Sequence, residues 1–349
     1  MPSYHDQVDI NNEIKLRELR EKLPRFCGEF FRGIESTTSS RTRIAYAYDM
    51  IVFFNYLHDH HPDFKGKDIP SVDLKDMDKV TSTDIEEYLD HLKYYKDENG
   101  KIHTNKERGI KRKLACLRTL YNYFYKKEKI ETNPAAIVDM PKMHQKEIVR
   151  LDADEVGNLL DEVERGDKLT KSQKNFHNKT KTRDLAILTL LLGTGIRVSE
   201  CVGIDITDVD FRNSGVKIKR KGGNETVVYF GDEVEKALLD YIEERKGIVA
   251  ADGDENALFL SLQKKRISVR SVENLVKKYS QLVTSLKKIT PHKLRSTYGT
   301  ALYRETGDIY LVADVLGHKD VNTTKKHYAA IEDDRRRKAR DAVKLRKDD

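Results

Sequence analysis

Residues 290–328 read TPHKLRSTYGTALYRETGDIYLVADVLGHKDVNTTKKHY. Thr290 suits a helix N-cap and Pro291 the first helical position after it. His292 and Arg295 stand three apart, so on such a helix they share one face. The apolar run Ile309 to Leu316 ends at Gly317, a helix-stop signal, and His318 follows at once. The spacing predicts helices over 292–305 and 309–316. A polar turn with Thr323 and Thr324 then leads to Tyr328, followed by Ala329 and Ala330. Taken singly, Arg295 reads as a solvated helix residue, His292 as a hydrogen-bonded structural histidine and Tyr328 as core or interface.

A second stretch changes the weight of the first. Gly193 to Glu200 reads GTGIRVSE. Here a nearly all-apolar helix, Leu185 to Leu192, runs into a glycine-rich turn that presents Arg197. The G-T-G-I-R-V-S-E, H-K-L-R and L-G-H-K-D runs and the later tyrosine, in that order, resemble the tyrosine recombinase (phage integrase) family. The resemblance covers residues of about 150 to 335, and the N-terminal third in outline.

The resemblance implies a mainly α fold: an N-terminal four-helix, SAM-like core-binding domain, then an α+β catalytic domain with a small β-sheet. On this chain the boundaries fall at 1–140 for the core-binding domain, 141–150 for the linker and 151–332 for the catalytic domain. Residues 333–349 are expected to form a C-terminal tail helix for docking between protomers.

The chemistry at issue is attack on a DNA phosphodiester without metal or cofactor, so cationic side chains must match the developing charge. Two arginines can each donate paired hydrogen bonds to non-bridging oxygens. By resemblance these are Arg197 and Arg295, clamping the scissile phosphate. Tyr328 is then the nucleophile, forming a 3′-phosphotyrosine link. A phenol is a weak nucleophile until cations or a base activate it. The leaving 5′-oxygen needs a proton, and in the family a lysine on a β-hairpin turn supplies it. Lys221, in Arg220-Lys221-Gly222-Gly223-Asn224, is the best match, with Lys219 as the alternative. The family's turn usually reads G-K-G, whereas this one has Arg220 in place of the first glycine. His292 and His318 are expected to position phosphate oxygens or relay protons. Glu200 is expected to orient His292 or its neighbours; an exposed helix carboxylate is the plainer reading. The interval from His318 to Tyr328 is one longer than the family's commonest, which places His327 at the usual tyrosine count.

Bulk properties agree with a polyanionic partner without requiring one. The chain has 349 residues and a net charge of +7, with 35% charged residues. Such length fits two or three domains, and a basic balance fits either nucleic acid or plain solubility. Three cysteines, Cys27, Cys116 and Cys201, lack C-x-x-C spacing, which argues against a disulfide framework or a thiolate zinc site. Cys116 and Cys201 sit in apolar patterns and read as core. His58, His60 and His61 read as loop histidines, since no second ligand cluster lies nearby. The first residues are polar rather than signal-like, and no apolar run could span a bilayer. The expected location is cytoplasmic.

Along the N-terminal third, residues 11–35 read as helix split at Pro24, with a stripe of Leu19, Leu23, Phe26 and Phe30. A second helix over 38–58 carries Ile44, Tyr48, Ile51 and Phe54, and its first turns hold Arg41 and Arg43. Thr83 with Glu86 predicts a capping box and a third helix to about Tyr95. Thr104 with Glu107 opens a fourth, to about Lys129, with Ile110, Leu114, Leu117, Tyr121 and Phe124 as its stripe. Between Thr104 and Ile130 nine lysines and arginines face two glutamates. Lys106, Arg108, Lys111, Arg112, Lys113 and Arg118 crowd the first half. With Arg41 and Arg43, the residues from Lys106 to Lys113 are the candidate DNA contacts; a solvated basic face is the alternative.

Beyond the linker, Asp152 and Glu155 cap a helix through Val163. Residues 165–183 read as an exposed loop. Val216 to Arg220 and Thr226 to Phe230 read as a hairpin about a Lys-Gly-Gly-Asn turn. Helices follow over 233–246 and 270–286.

The expected function is site-specific recombination of double-stranded DNA through a Holliday junction. A monomer would assemble as a homotetramer on a short inverted-repeat site. With the first amphipathic helix beginning near residue 11, a Xer-like role in chromosome dimer resolution is favoured over a mobile-element integrase. A type IB topoisomerase and a non-catalytic DNA-binding regulator are the competing functions. The target sequence and any accessory protein are not readable from the residues.

Overall fold

The computed structural model describes residues 3–97, 99–144, 149–220, 222–318 and 320–321. The chain divides into two compact units, Met1–Lys146 and Glu147–Asp349.

The first unit is helical. Helices α1 (Tyr4–Arg20), α2 (Cys27–Gly33), α3 (Ser40–His60) and α4 (Ser82–His91) precede a short hairpin, β1 (Tyr95–Lys96) and β2 (Ile102–His103). Helices α5 (Glu107–Tyr125) and α6 (Pro134–Ile137) complete it. Phe30, Phe53, Phe54, Leu57, Tyr88, Leu117, Tyr121 and Phe124 are buried in one core. Every member of the predicted α5 stripe is buried.

The α3 stripe is displaced from expectation. Tyr48 is exposed and Ile44 and Ile51 are half-buried, while Ala47, Met50, Phe53, Phe54 and Leu57 are buried. The buried face also takes in Arg43 and Asp49, which a count of apolar residues cannot find. Helix α4 starts two residues before the expected box: Thr81 accepts from the Asp84 N–H, and the Asp84 carboxylate accepts from the Thr81 N–H. Helix α5 starts after Lys106 without a side-chain cap, so Thr104 does not serve as one.

The second unit is built around α9 (Lys181–Thr194). It contains α7 (Ala153–Arg165), α8 (Lys171–His177), α10 (Val198–Val202), β3 (Val209–Asp210), β4 (Gly215–Lys219), β5 (Glu225–Tyr229), α11 (Asp232–Lys246), α12 (Val269–Val283), α13 (Pro291–Thr306) and α14 (Ile309–Leu316). Ala186, Ile187, Leu188, Leu190 and Leu191 of α9 are fully buried, because neighbours α7, α11, α12 and α13 cover it on all sides. A helix that is apolar all round must be enclosed in this way. The strands form an antiparallel sheet in the order β3-β4-β5, with Lys219 opposite Glu225 at the turn.

The predicted loop over 165–183 is corrected by α8. Thr170 and Gln173 form its capping box, and His177 is buried, with Nδ1 3.0 Å from the Tyr279 hydroxyl. The helix is short and polar, so it carries no apolar period to read.

Two joints position the chemistry-bearing segments. Gly195 ends α9 in the left-handed region, at φ +64, and a Cβ there would collide with Tyr298 of α13 and crowd Leu316 of α14. Only glycine lets the turn approach that closely. Helices α13 and α14 hold together through Tyr303, Val312 and Leu316, flanked by Tyr298, Leu302 and Ile309.

Candidate active site

Three arginines from distant parts of the second unit meet the C-terminal end of α14. Arg295, on α13, is buried. Its Nη1 donates to the Gly195 carbonyl at 2.6 Å, and its Nη2 donates to the Leu316 carbonyl. Arg197 follows the Gly195 turn and caps α10; its Nη2 donates to the Gly317 carbonyl at 3.4 Å. Arg220, at the end of β4, donates from Nη1 to the Asp314 carbonyl at 3.3 Å and from Nη2 to the Val315 carbonyl at 2.8 Å.

An α-helix leaves its last carbonyls without intrahelical partners, and they form the negative end of its dipole. Guanidinium groups satisfy both needs. His318 comes directly after this end. Its N–H donates to the Ala313 carbonyl at 2.8 Å, closing the left-handed turn at Gly317.

Glu200 is buried, which sets aside the exposed-carboxylate reading. Its Oε1 accepts from Arg197 Nη1 and its Oε2 from the Arg197 N–H, each at 2.7 Å. Glu200 thus holds Arg197. The arginine side chain is about one-third exposed while its partner is almost wholly enclosed. With Nη1 on the Glu200 carboxylate and Nη2 on the Gly317 carbonyl, two bonds orient the guanidinium plane. The exposed remainder is the part a ligand can reach.

His292 is itself exposed, in the first turn of α13, one turn before Arg295. Thr290 is the N-cap residue, without a side-chain cap bond, and Pro291 occupies the first turn. Lys219 is half-buried at the end of β4. Lys221, His327 and Tyr328 lie outside the described residues, as does the tail from 333 to 349. Among the described residues, no group of three or more His, Cys, Asp or Glu side chains is arranged to hold a metal ion. No helix among them is long and apolar enough to cross a membrane.

In the first unit the basic candidates separate into two kinds. Arg41, Lys106, Arg108 and Lys111 are exposed. Arg43 is buried, bonding to the Glu35 and Thr38 carbonyls and to the Glu13 carboxylate. Lys113 is also buried, its Nζ 3.2 Å from Asp49 Oδ1. Arg112 is exposed along its stem but pairs with Asp49 Oδ2 at 2.6 Å. The expectation that Arg43 and Lys113 face DNA is therefore corrected: both side chains are buried and bonded within the unit, Lys113 to the buried Asp49 carboxylate. Burial raises the Asp49 carboxyl, and the charges of Lys113 and Arg112 pull against that rise. Arg118, too, is turned inward, to the Ala135 and Val138 carbonyls.

Residues 149–335 match the model of the phage integrase family, and residues 22–142 match the phage integrase SAM-like domain. The chain belongs to the phage integrase family. It is 33% identical to the tyrosine recombinase XerC of Caldanaerobacter subterraneus subsp. tengcongensis, over 91% of this chain and 86% of the relative. It is 30% identical to the tyrosine recombinase XerS of Streptococcus thermophilus, over 92% of this chain and 96% of the relative. The solved XerH site-specific recombinase bound to palindromic difH substrate, in its post-cleavage complex, is similar in fold. Its TM-score is 0.64 at 19% identity, covering 86% of this chain and 80% of that one. The Tn1549 transposon integrase in complex with transposon right end DNA has a TM-score of 0.62 at 21% identity, covering 90% and 98%.

This phage integrase family member is accordingly a Xer-like tyrosine recombinase, an enzyme of site-specific recombination. Arg197 and Arg295, singled out in the sequence, both reach the end of α14, and the bonds of Arg220 to the same end were not anticipated. The signal was present as an arginine standing where the family's turn has glycine.

Proposed function

We propose that this recombinase cuts and rejoins double-stranded DNA at a short inverted-repeat site through a 3′-phosphotyrosine intermediate. The observation that carries the reading is the convergence of Arg197 and Arg295 on Leu316 and Gly317, next to His318. These guanidiniums come from two elements about a hundred residues apart and are held by buried partners. A preorganised cationic pair suits a phosphate whose charge grows in the transition state.

In this reading the Tyr328 hydroxyl gives up its proton to a neighbouring base and its oxygen attacks phosphorus, forming the new P–O bond. The bond from phosphorus to the 5′-oxygen breaks, and that oxygen takes a proton from Lys221 or Lys219 to leave as a hydroxyl. His292 and His318 position phosphate oxygens or relay protons. The ester keeps the energy of the broken bond, so a 5′-hydroxyl from another strand can reverse the step without ATP.

Lys106, Arg108, Lys111 and Arg41 make phosphate contacts that set register and affinity without reading bases. Four protomers assemble on two sites and exchange strands in pairs through a Holliday junction. Resolution of chromosome dimers is the biological role we infer. Its support is the likeness to XerC and XerS relatives over most of their length.

A nicked suicide duplex, carrying the site this protein selects from random DNA, tests the chemistry. Wild-type protein is expected to give a covalent band on a denaturing gel, and Tyr328→Phe to give none while binding the duplex as before. A band from Tyr328→Phe would overturn the nucleophile assignment. The selected sequence tests the role, since a site at the ends of a mobile element would favour integration instead.

A further inference from the structure

Arg220 is held at both ends. Its N–H donates to the Asn224 carbonyl at 2.8 Å and its own carbonyl accepts from Gly223 N–H at 3.1 Å, so its main chain closes the β4–β5 turn. Its side chain reaches away from that turn to the Asp314 and Val315 carbonyls at the end of α14. A planar group with two donors in a fixed fork defines both the distance and the rotation of what it joins, which a lysine ammonium cannot do. The Arg220 Nε is buried and has no partner among the described residues, so the two Nη bonds alone set the plane.

Gly317 belongs to the same joint. It adopts φ +60, and a Cβ there would collide with the Arg220 guanidinium. The missing side chain thus provides the surface on which the arginine lies.

The turn that Arg220 anchors is otherwise permissive. Gly222 and Gly223 have φ of +99 and +87, and a Cβ on either would meet nothing within 4 Å. Paired glycines without packing impose little conformational restraint. At this end of the hairpin Arg220 provides a two-bond fastening to α14.

We propose that Arg220 is a positioning residue that fastens the β4–β5 hairpin, the element whose lysine is read as the proton donor, to the C-terminal end of α14 beside His318. The inference rests on the reading that a lysine of this hairpin protonates the leaving 5′-oxygen. It differs from that reading in naming what holds the proton donor in place. Loss of the fastening slows proton delivery while the two arginines of the phosphate clamp stay in position.

A substrate with sulfur in place of the bridging 5′-oxygen isolates this step. There the P–S bond breaks and a thiolate departs without needing a proton, so an ill-placed acid no longer matters. Cleavage is measured on oxygen and sulfur versions of the nicked duplex carrying the selected site. On oxygen, Arg220→Ala is expected to be slower than wild type by about 10- to 100-fold, the scale of a catalytic group misplaced by about 1 Å. On sulfur it is expected to return to within about threefold of wild type. Adding Arg220→Ala to Lys221→Ala should cause no further loss on oxygen.

Equal slowing of Arg220→Ala on both substrates would overturn the proposal, and so would wild-type cleavage on oxygen. If Arg220→Ala does not fold, Arg220→Lys decides by the same ratio, since it can keep one of the two carbonyl bonds. The proton-donor reading is judged separately: it falls if sulfur restores neither Lys221→Ala nor Lys219→Ala.

Discussion

Arg197 and Arg295 carry the same expected role but differ in their surroundings. Arg295 is buried and satisfies carbonyls of two different segments, Gly195 and Leu316. Removing it leaves buried acceptors unpaired, at about 1–3 kcal/mol for each. Arg197 is partly exposed and its bond to the Gly317 carbonyl is long. Both alanine variants are expected to lose cleavage by about 10²-fold or more. Arg295→Ala should also unfold at distinctly lower denaturant concentration, by about 2–4 kcal/mol. Arg197→Ala should lose less stability than Arg295→Ala, because its group is partly hydrated already. Equal unfolding midpoints for the two variants would contradict this division. Asp76 offers a test by pH. Burial pushes its carboxyl up, but bonds from Lys79 at 2.9 Å, Lys67 at 3.0 Å and the Asp73 N–H outweigh that and hold it down at about 2. A folded value below the ordinary ~3.9 means stability that is present above about pH 4 and is lost as pH falls towards 2. Chemical denaturation of wild type and Asp76→Asn should therefore show a gap at pH 6 that closes near pH 2. A gap of constant size would remove the ionic explanation.

Helix α5 shows how far pattern reading reaches. Its apolar stripe was legible because Ile110, Leu114, Leu117, Tyr121 and Phe124 repeat at helical spacing, and all are buried. Its charges were not legible, because burial of Lys113 depends on Asp49 of α3, 64 positions away in the chain. The same cause displaced the α3 stripe: Arg43 and Asp49 occupy the buried face, and their compensating partners come from other elements. Helix α8 was invisible for a different reason, since its polar residues offer only a capping box. At the active site, the glycine turn and the α13 motif were readable as local sequence. The bonds from Arg220 to α14 span more than ninety positions and could be found only in the fold. A measurable distinction follows within α5. Lys113→Ala is expected to destabilise the protein by about 3 kcal/mol, since it strands a buried carboxylate with only Arg112 beside it. Lys111→Ala should change stability by less than about 0.5 kcal/mol. In DNA binding the order is expected to reverse. Neutralising Lys106, Arg108 and Lys111 should flatten the slope of log K against log salt by about 0.9 for each phosphate that is no longer neutralised. An unchanged slope in the triple variant would show that this face is solvated rather than bound.

The proposed tetramer would require communication between protomers, for which the sequence offers a candidate device beyond the described residues. From Asp333 to Lys347 the chain carries eight basic residues, with Ala339, Ala342 and Val343 at helical spacing. A helix with so narrow an apolar stripe is marginal in isolation. Docking against another protomer would give that stripe a partner. If each tail docks on the catalytic unit of a neighbour, the interface is heterologous, and four such interfaces can close a ring. The closed ring would tie the segment after Tyr328 in one subunit to the state of the next. A tail that merely touches DNA would act differently, adding phosphate contacts to every protomer independently. The two roles separate on truncation after Ile331. Under docking, the truncated protein should bind a half-site almost as wild type does but lose cooperativity on the full site and fail to pair two sites. Under simple phosphate binding, half-site affinity should fall and its salt slope flatten, while cooperativity persists. Gel-shift titrations on half-site and full-site duplexes measure both quantities, and unchanged cooperativity in the truncated protein would rule out docking.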